Sequence, residues 1–262
     1  MGLFLNGLNT QLQYQLKTLG LLVLICLVCF GCNSPDAPWC LMSAGEHSEF
    51  VSSYPGAQFF EVEIHDHVDV QVELWDSAAV EIRWQGPSNL LAHRQEWVSE
   101  QRLTLGWEDR CEWARNLSHH PRILMRTHEI PAFVLRGQGR FEITALDSTQ
   151  SLKLDAWAFA GEIRCNVHLD TCSVRLHSGV ALTEITGQVN TFEGYASGLS
   201  HLDASLCSSR QAHINQSGHP VLRFQTLDYA YVQIESSGDV NGGEEPAEWE
   251  LRSMGSGQLI WD

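Results

Sequence analysis

Near its C-terminal end the chain reads VQIESSGDVNGG, residues 232–243. Three chemistries compete for that stretch. Ser237 could be a nucleophile, but a nucleophile elbow needs G-x-S-x-G on a sharp strand-to-helix turn. ESSGDV has neither the leading glycine nor a helical pattern behind it. Asp239, Asn241 and Glu244 could hold one calcium ion, but glycine-rich calcium turns repeat their Asp every nine residues. Here Asp239 stands without such a series. The third reading is a plain turn. Histidine is the other candidate, with 12 in the chain. His65 and His67, in HDH, fall on one side of a strand. Zinc needs three or four converging ligands, and no second cluster follows. The expectation is no catalytic residue, no metal and no cofactor. If any corner holds a local ion, it is the one at Asp239.

The elements that must position these residues show a long-range repeat. Ser-Gly recurs at Gly179, Gly198, Gly218, Gly238 and Gly257, at intervals of 19, 20, 20 and 19 residues. Ala160-Gly161 stands 18 residues ahead of the first pair. Each interval carries short apolar-rich segments such as SVRL, ALTEI, VLRF and YAYVQI. A period of about 20 residues with two or three short strands is the mark of a β-solenoid. Glycine suits the corner because it reaches positive φ without a Cβ clash. Five serines in series also argue for turn chemistry over catalysis. The inward register is not uniform: Val174 and Val232 stand at different distances from their glycines, so bulges or shifted corners are required. Upstream, FFEVEIHDHVDVQVELW and AVEIRW alternate with period two, the pattern of strands. The best helical stretch, residues 89–101, is short and weak. At this period residues 51–262 would form about ten coils, on the order of 50 Å long.

The chain carries 32 acidic and 16 basic residues, a net charge of −16. Phosphate contact needs basic patches, so nucleic acid is excluded as a partner. Leu19–Phe30 is a 12-residue uncharged apolar run behind Lys17. It is shorter than the roughly 20 residues that span a bilayer and has the length of a signal-peptide core. Gly31-Cys32 follows directly, similar to a bacterial lipobox, although position −3 is Cys29 where leucine is usual. Residues 1–31 are therefore expected to be a lipoprotein signal peptide. Cys32 is the lipidated residue, and the membrane is reached through an N-terminal lipid. Residues 32–50, with two prolines, make a tether, and residues 51–262 the solenoid domain. Beyond Cys32 five cysteines remain: Cys40, Cys111, Cys165, Cys172 and Cys207. Five is odd, so at least one has no partner within the chain.

The order of FFEVEIHDHVDVQVEL, SNLLAHRQEWVSEQRLTL, CEWAR, the Ser-Gly repeats and GSGQLIWD resembles the head GIN domain family of auto-transporter adhesin heads. The match is closest to its Bacteroidetes-type lipoproteins and covers roughly residues 38–262. The resemblance implies a right-handed parallel β-helix, an adhesive role and no catalytic residues. It also implies a disulfide between Cys40 and Cys111. The family often has Gly-Ser-Gly-Asp at its corners, and here only Ser237-Gly238-Asp239 keeps the Asp.

The expected function is a non-enzymatic cell-envelope lipoprotein, adhesin-like, on the outer membrane, with a surface glycan or protein as its ligand. The alternative is a carbohydrate-binding or polysaccharide-degrading β-helix protein. Lyases of that shape need calcium carboxylates and a basic residue in one cleft. Lysine is nearly absent here, and Arg164, Arg175 and Arg223 fall on different repeats. Eight tryptophans, Trp75, Trp84, Trp97, Trp107, Trp113, Trp157, Trp249 and Trp261, would stack sugars if they shared a face. The competing expectation is that they seal the ends and seams of the stack.

Overall fold

The structure, a computed structural model, describes residues 45–107 and 120–262. Cys32, Cys40 and Cys111 lie outside the described residues, as do the signal segment and most of the tether. Strands dominate, at 72% of residues against 2% in helix, and form a β-solenoid of about six turns with about 20 residues per turn. In chain order they are β1 (His47–Pro55), β2 (Glu61–Ile64), β3 (Asp69–Leu74) and β4 (Ala79–Pro87). A one-turn helix α1 (Ser88–Leu91) precedes β5 (Arg94–Ser99), β6 (Arg102–Trp107) and β7 (Arg122–Thr127). The long strands β8 (Ala132–Ala145), β9 (Ser151–Leu176), β10 (Gly179–Gly198), β11 (His201–Gly218) and β12 (Leu222–Ile234) follow. Short β13 (Val240–Asn241), β14 (Glu248–Ser253) and β15 (Leu259–Ile260) close the chain. Strand β1 already begins at His47, inside the segment expected to be tether.

From β8 onward each coil lies parallel on the one before. Strand β10 is offset from β9 by 20 residues throughout, from Gly179 on Phe159 to Ala196 on Leu176. Alternation then sorts the side chains: one set turns into a single core, the other onto the wall. The inward set includes Ile163, Val167, Val174, Leu176, Ile214, Phe224, Val232 and Ile234, all buried. One inward column runs Val70, Phe141, Ile163, Thr183, Leu202. The uneven register has a local cause. Between β11 and β12 the offset falls from 20 at Asp203–Arg223 to 17 at Ser208–Gln225, then settles at 18.

The expected ten coils become six because the first third of the domain does not wind in order. Strands β2 and β3 lie between β6–β7 on one side and β8 on the other. The chain therefore lays one coil, runs outward to build a lid, returns as a second coil outside the first, then crosses to the far side. The lid pairs antiparallel, β1 with β4, β4 with β7 and β5 with β6. An antiparallel lid protects a solenoid end that would otherwise expose its core and its strand edge. Trp84 and Trp107 are buried under it. Their indole N–H groups are satisfied by Glu96 Oε2 at 2.9 Å and by the Leu90 carbonyl at 2.8 Å. Glu96 also accepts from Tyr54, and burial with that carboxylate beside it pushes the Tyr54 phenol well up. α1 and β5 occupy the stretch with the best helical pattern.

Five of the repeat glycines form one column. Built in its ideal place, a Cβ on Gly257 would lie 2.2 Å from the Gly238 carbonyl oxygen. A Cβ on Gly238 would lie 2.6 Å from that of Gly218, and one on Gly218 3.1 Å from that of Gly198. Gly198 in turn lies above Gly179. Gly161 belongs to another column, on Gly139, and pairs with Ala181 rather than Gly179. The serines bond across coils: Ser178 Oγ accepts the Ala158 N–H, and Ser197 Oγ donates to the Leu176 carbonyl and to that of His177.

Candidate functional site

The 20-residue offset turns sequence repeats into vertical stripes on the outer wall. One stripe runs Arg175, Tyr195, Asn215, Gln233 and Arg252. Two residues along, and so on the same face, a second stripe runs Ser173, Glu193, His213, Tyr231 and Glu250. Between them lies an open groove of about 560 Å³ lined by Arg175, His177, Glu193, Tyr195, His213, Asn215, Tyr231 and Gln233.

At one edge the His177 and Trp157 rings are face to face, with centroids 3.7 Å apart and planes 5° off parallel. His177 Nε2 meets Asp155 Oδ1 at 2.9 Å, which fixes the imidazole. Tyr195 follows 5.4 Å along. His213 stands 6.5 Å from Tyr231 and 6.2 Å from Tyr229. Burial and then the neighbouring Glu250 carboxylate raise the Tyr229 phenol, so it stays a neutral donor. Glu193 accepts from Ser173 Oγ at 2.9 Å and faces Arg175 at 3.6 Å.

Ring faces beside amides, an arginine and a carboxylate suit a ligand with both apolar faces and many hydroxyls. They do not suit hydrolysis: Asp155 is spent on His177 and Glu193 on Ser173 and Arg175, so no carboxyl pair flanks a reacting bond. A larger groove of about 640 Å³ lies beside β3 and β8. Its acids are already engaged, Glu73 with Arg126 and Glu142 with Arg140 and Arg164. Hydrogen bonds from Gln150 and then Thr149 hold Asp147 down to about 2.

The other candidate residues do not converge. His65 faces Glu63 at 3.2 Å, whereas His67 stacks on His120 at 4.3 Å. Asp239 accepts the Gln258 N–H at 2.8 Å, and Asn241 Oδ1 the Gly243 N–H at 2.9 Å, so both shape corners. Among the described residues no three His, Cys, Asp or Glu side chains gather as a metal site. Ser237 Oγ lies 2.8 Å from His219 Nδ1 on an exposed corner. The tryptophans divide: Trp84 and Trp107 sit under the lid, Trp249 and Trp261 lie 6.0 Å apart at the other end, and Trp157 is on the wall. Trp113 lies outside the described residues. The two wall stripes were missed in the sequence. The only signal for them was the 20-residue offset itself, applied to Tyr195, His213 and Tyr231.

Residues 58–246 match the family model described as "Putative auto-transporter adhesin, head GIN domain". Among solved structures, a "putative adhesin" from Bacteroides fragilis superposes with a TM-score of 0.67 at 14% identity. The match covers 82% of this chain and 97% of that one. A "putative lipid binding protein" from Parabacteroides distasonis gives 0.56 at 17% identity, over 83% and 98%. A "putative adhesin" from the same species gives 0.54 at 12% identity, over 83% and 98%. At these identities the likeness is one of fold. Among curated proteins no sequence matches.

Proposed function

The chain belongs to the head GIN domain family, and from that premise we propose that it is a non-enzymatic, adhesin-like lipoprotein of the bacterial cell envelope. Residues 1–31 are its signal peptide, Cys32 carries the lipid, and a short tether leads to the lidded end of the solenoid. The outer membrane is the proposed site. The contact surface is the wall groove between the Tyr195 and Tyr231 stripes, and its ligand is a glycan. The observation that carries this is the Trp157–His177 stack continuing into Tyr195, with Asn215 and Gln233 beside it. Sugars bind by laying apolar ring faces on aromatic side chains and by exchanging hydroxyl hydrogen bonds with amides and charged groups.

The experiment incubates the full chain with envelope and matrix glycans, then measures both retention and released products. Retention without release supports the reading. Release of shortened chains contradicts it and makes the protein a depolymerase. Anchoring has its own test: Cys32→Ala should move the protein out of the membrane fraction, and an unchanged distribution contradicts the lipid anchor.

A further inference from the structure

The two ends of the solenoid differ. The lid covers one; the other ends on β14, whose six residues are all exposed. Trp249 and Leu251 continue the inward columns of Ala230 and Val232, yet they are 42% and 43% exposed because no coil follows. The backbone is open as well. Met254 donates its N–H to the Ile234 carbonyl. By the alternation of a parallel ladder, Glu250 and Arg252 also turn theirs toward β12, while Trp249, Leu251 and Ser253 turn theirs to the free edge. An apolar inner face on an unpaired edge is a template for another strand.

We infer that this edge pairs with β14 of a second copy, antiparallel, about a two-fold axis through Leu251. The charges select the occupant and the register. Two-fold pairing that keeps inward residues inward can be centred on 249, 250, 251 or 252. Centring on Trp249 opposes Glu248 with Glu250 twice. Centring on Glu250 opposes that residue with itself, and centring on Arg252 does the same for arginine. Centring on Leu251 opposes Glu250 with Arg252 twice, sets Leu251 on Leu251 and Trp249 beside Ser253, and leaves no like charges facing. In that register the edge-facing N–H and carbonyl groups of 249, 251 and 253 also meet each other, as an antiparallel ladder requires. EWELRS is thus complementary to itself. An isologous contact of this kind closes at two copies. It would stack the two solenoids end to end, with both lids and tethers at the far ends. If the envelope-adhesin reading holds, on which this last step rests, that is the geometry of a homophilic bridge between two surfaces.

The test is the mass of the full chain in detergent by sedimentation, across a concentration series, for wild type and two variants. Wild type should reach twice the chain mass. Arg252→Glu sets glutamate against glutamate and should weaken the dimer roughly thirtyfold. Glu250→Arg with Arg252→Glu restores opposite charges and should restore the dimer, which separates lost pairing from lost folding. A monomer at every concentration overturns the pairing, as does a dimer that Arg252→Glu leaves intact. Beads carrying the chain by its N-terminal end test the bridge. Clustering abolished by Arg252→Glu supports it, and a dimer in solution without clustering overturns the bridge while the pairing stands.

Discussion

Thr183 sits in the core directly on Ile163, in a column otherwise made of Val70, Phe141, Ile163 and Leu202. It is 3% exposed, and its hydroxyl has no hydrogen-bond partner. A buried hydroxyl without a partner costs about 1–3 kcal/mol relative to an apolar group of the same shape. Thr183→Val should therefore stabilise the protein by about 1 kcal/mol, read as a higher midpoint in urea. A lower midpoint would mean that the hydroxyl is satisfied.

The glycine column predicts unequal costs for equal changes. Gly179 has φ +110°, and a Cβ there would lie 2.2 Å from the Phe159 carbonyl oxygen. Gly179→Ala should cost about 2–4 kcal/mol. Gly198 has φ +65° and open space, with its nearest atom at 3.9 Å. Gly198→Ala should cost about 1 kcal/mol, the left-handed penalty by itself. Equal losses in thermal unfolding would contradict the close approach at Gly179.

Acid should strike the lidded end first. Burial pushes the Asp69 carboxyl up. The hydrogen bond from His120 Nε2 at 2.8 Å, the His120 charge and the Arg140 N–H at 2.8 Å outweigh it and hold the group below its ordinary range. A depressed folded-state pKa gives stability that is present above pH about 4 and lost as pH falls through the folded value. Asp69→Asn should lower stability at pH 7 by about 1–2 kcal/mol and flatten the loss below pH 4. Denaturation profiles with the same acid slope in both proteins would contradict this.

Three thiols are sealed in the core. Burial raises Cys165 and Cys172 far above the usual thiol range and pushes Cys207 up to about 12. Thiolate is the reactive form, so none of the three should alkylate in the native protein at pH 8, and all three should label in denaturant. The same mass map tests the proposed Cys40–Cys111 disulfide: a cross-linked peptide is expected without reductant, and two alkylated cysteines there would refute it.

The solenoid was legible in the sequence because one physical demand, a tight corner every coil, writes Ser-Gly into the chain at near-constant spacing. The count of coils was not. Nothing in the period-two alternation of AVEIRW or DVQVEL says whether a strand pairs with the next coil or folds back over the first. The lid therefore became visible only in the pairing of β4 with β1 and β7. Gly161 misled for a related reason: it stands near the repeat in sequence, but an 18-residue gap places it one column away from Gly179. The wall groove was hidden because Arg175, Tyr195, Asn215 and Gln233 are unlike residues, and they form a site only once the 20-residue offset stacks them. The β14 edge was hidden likewise, since Trp249 and Leu251 carry the signature of core residues.

The central claim is that the wall binds a glycan without cleaving it. The most direct measurement is the dissociation constant of the full chain for a retained glycan, with Tyr195→Ala and Tyr231→Ala beside wild type. Each lost aromatic platform is worth about 1 kcal/mol, so each variant should bind roughly fivefold more weakly while unfolding at the wild-type temperature. Affinity unchanged in both variants, or glycan chains shortened by the wild type, would contradict it.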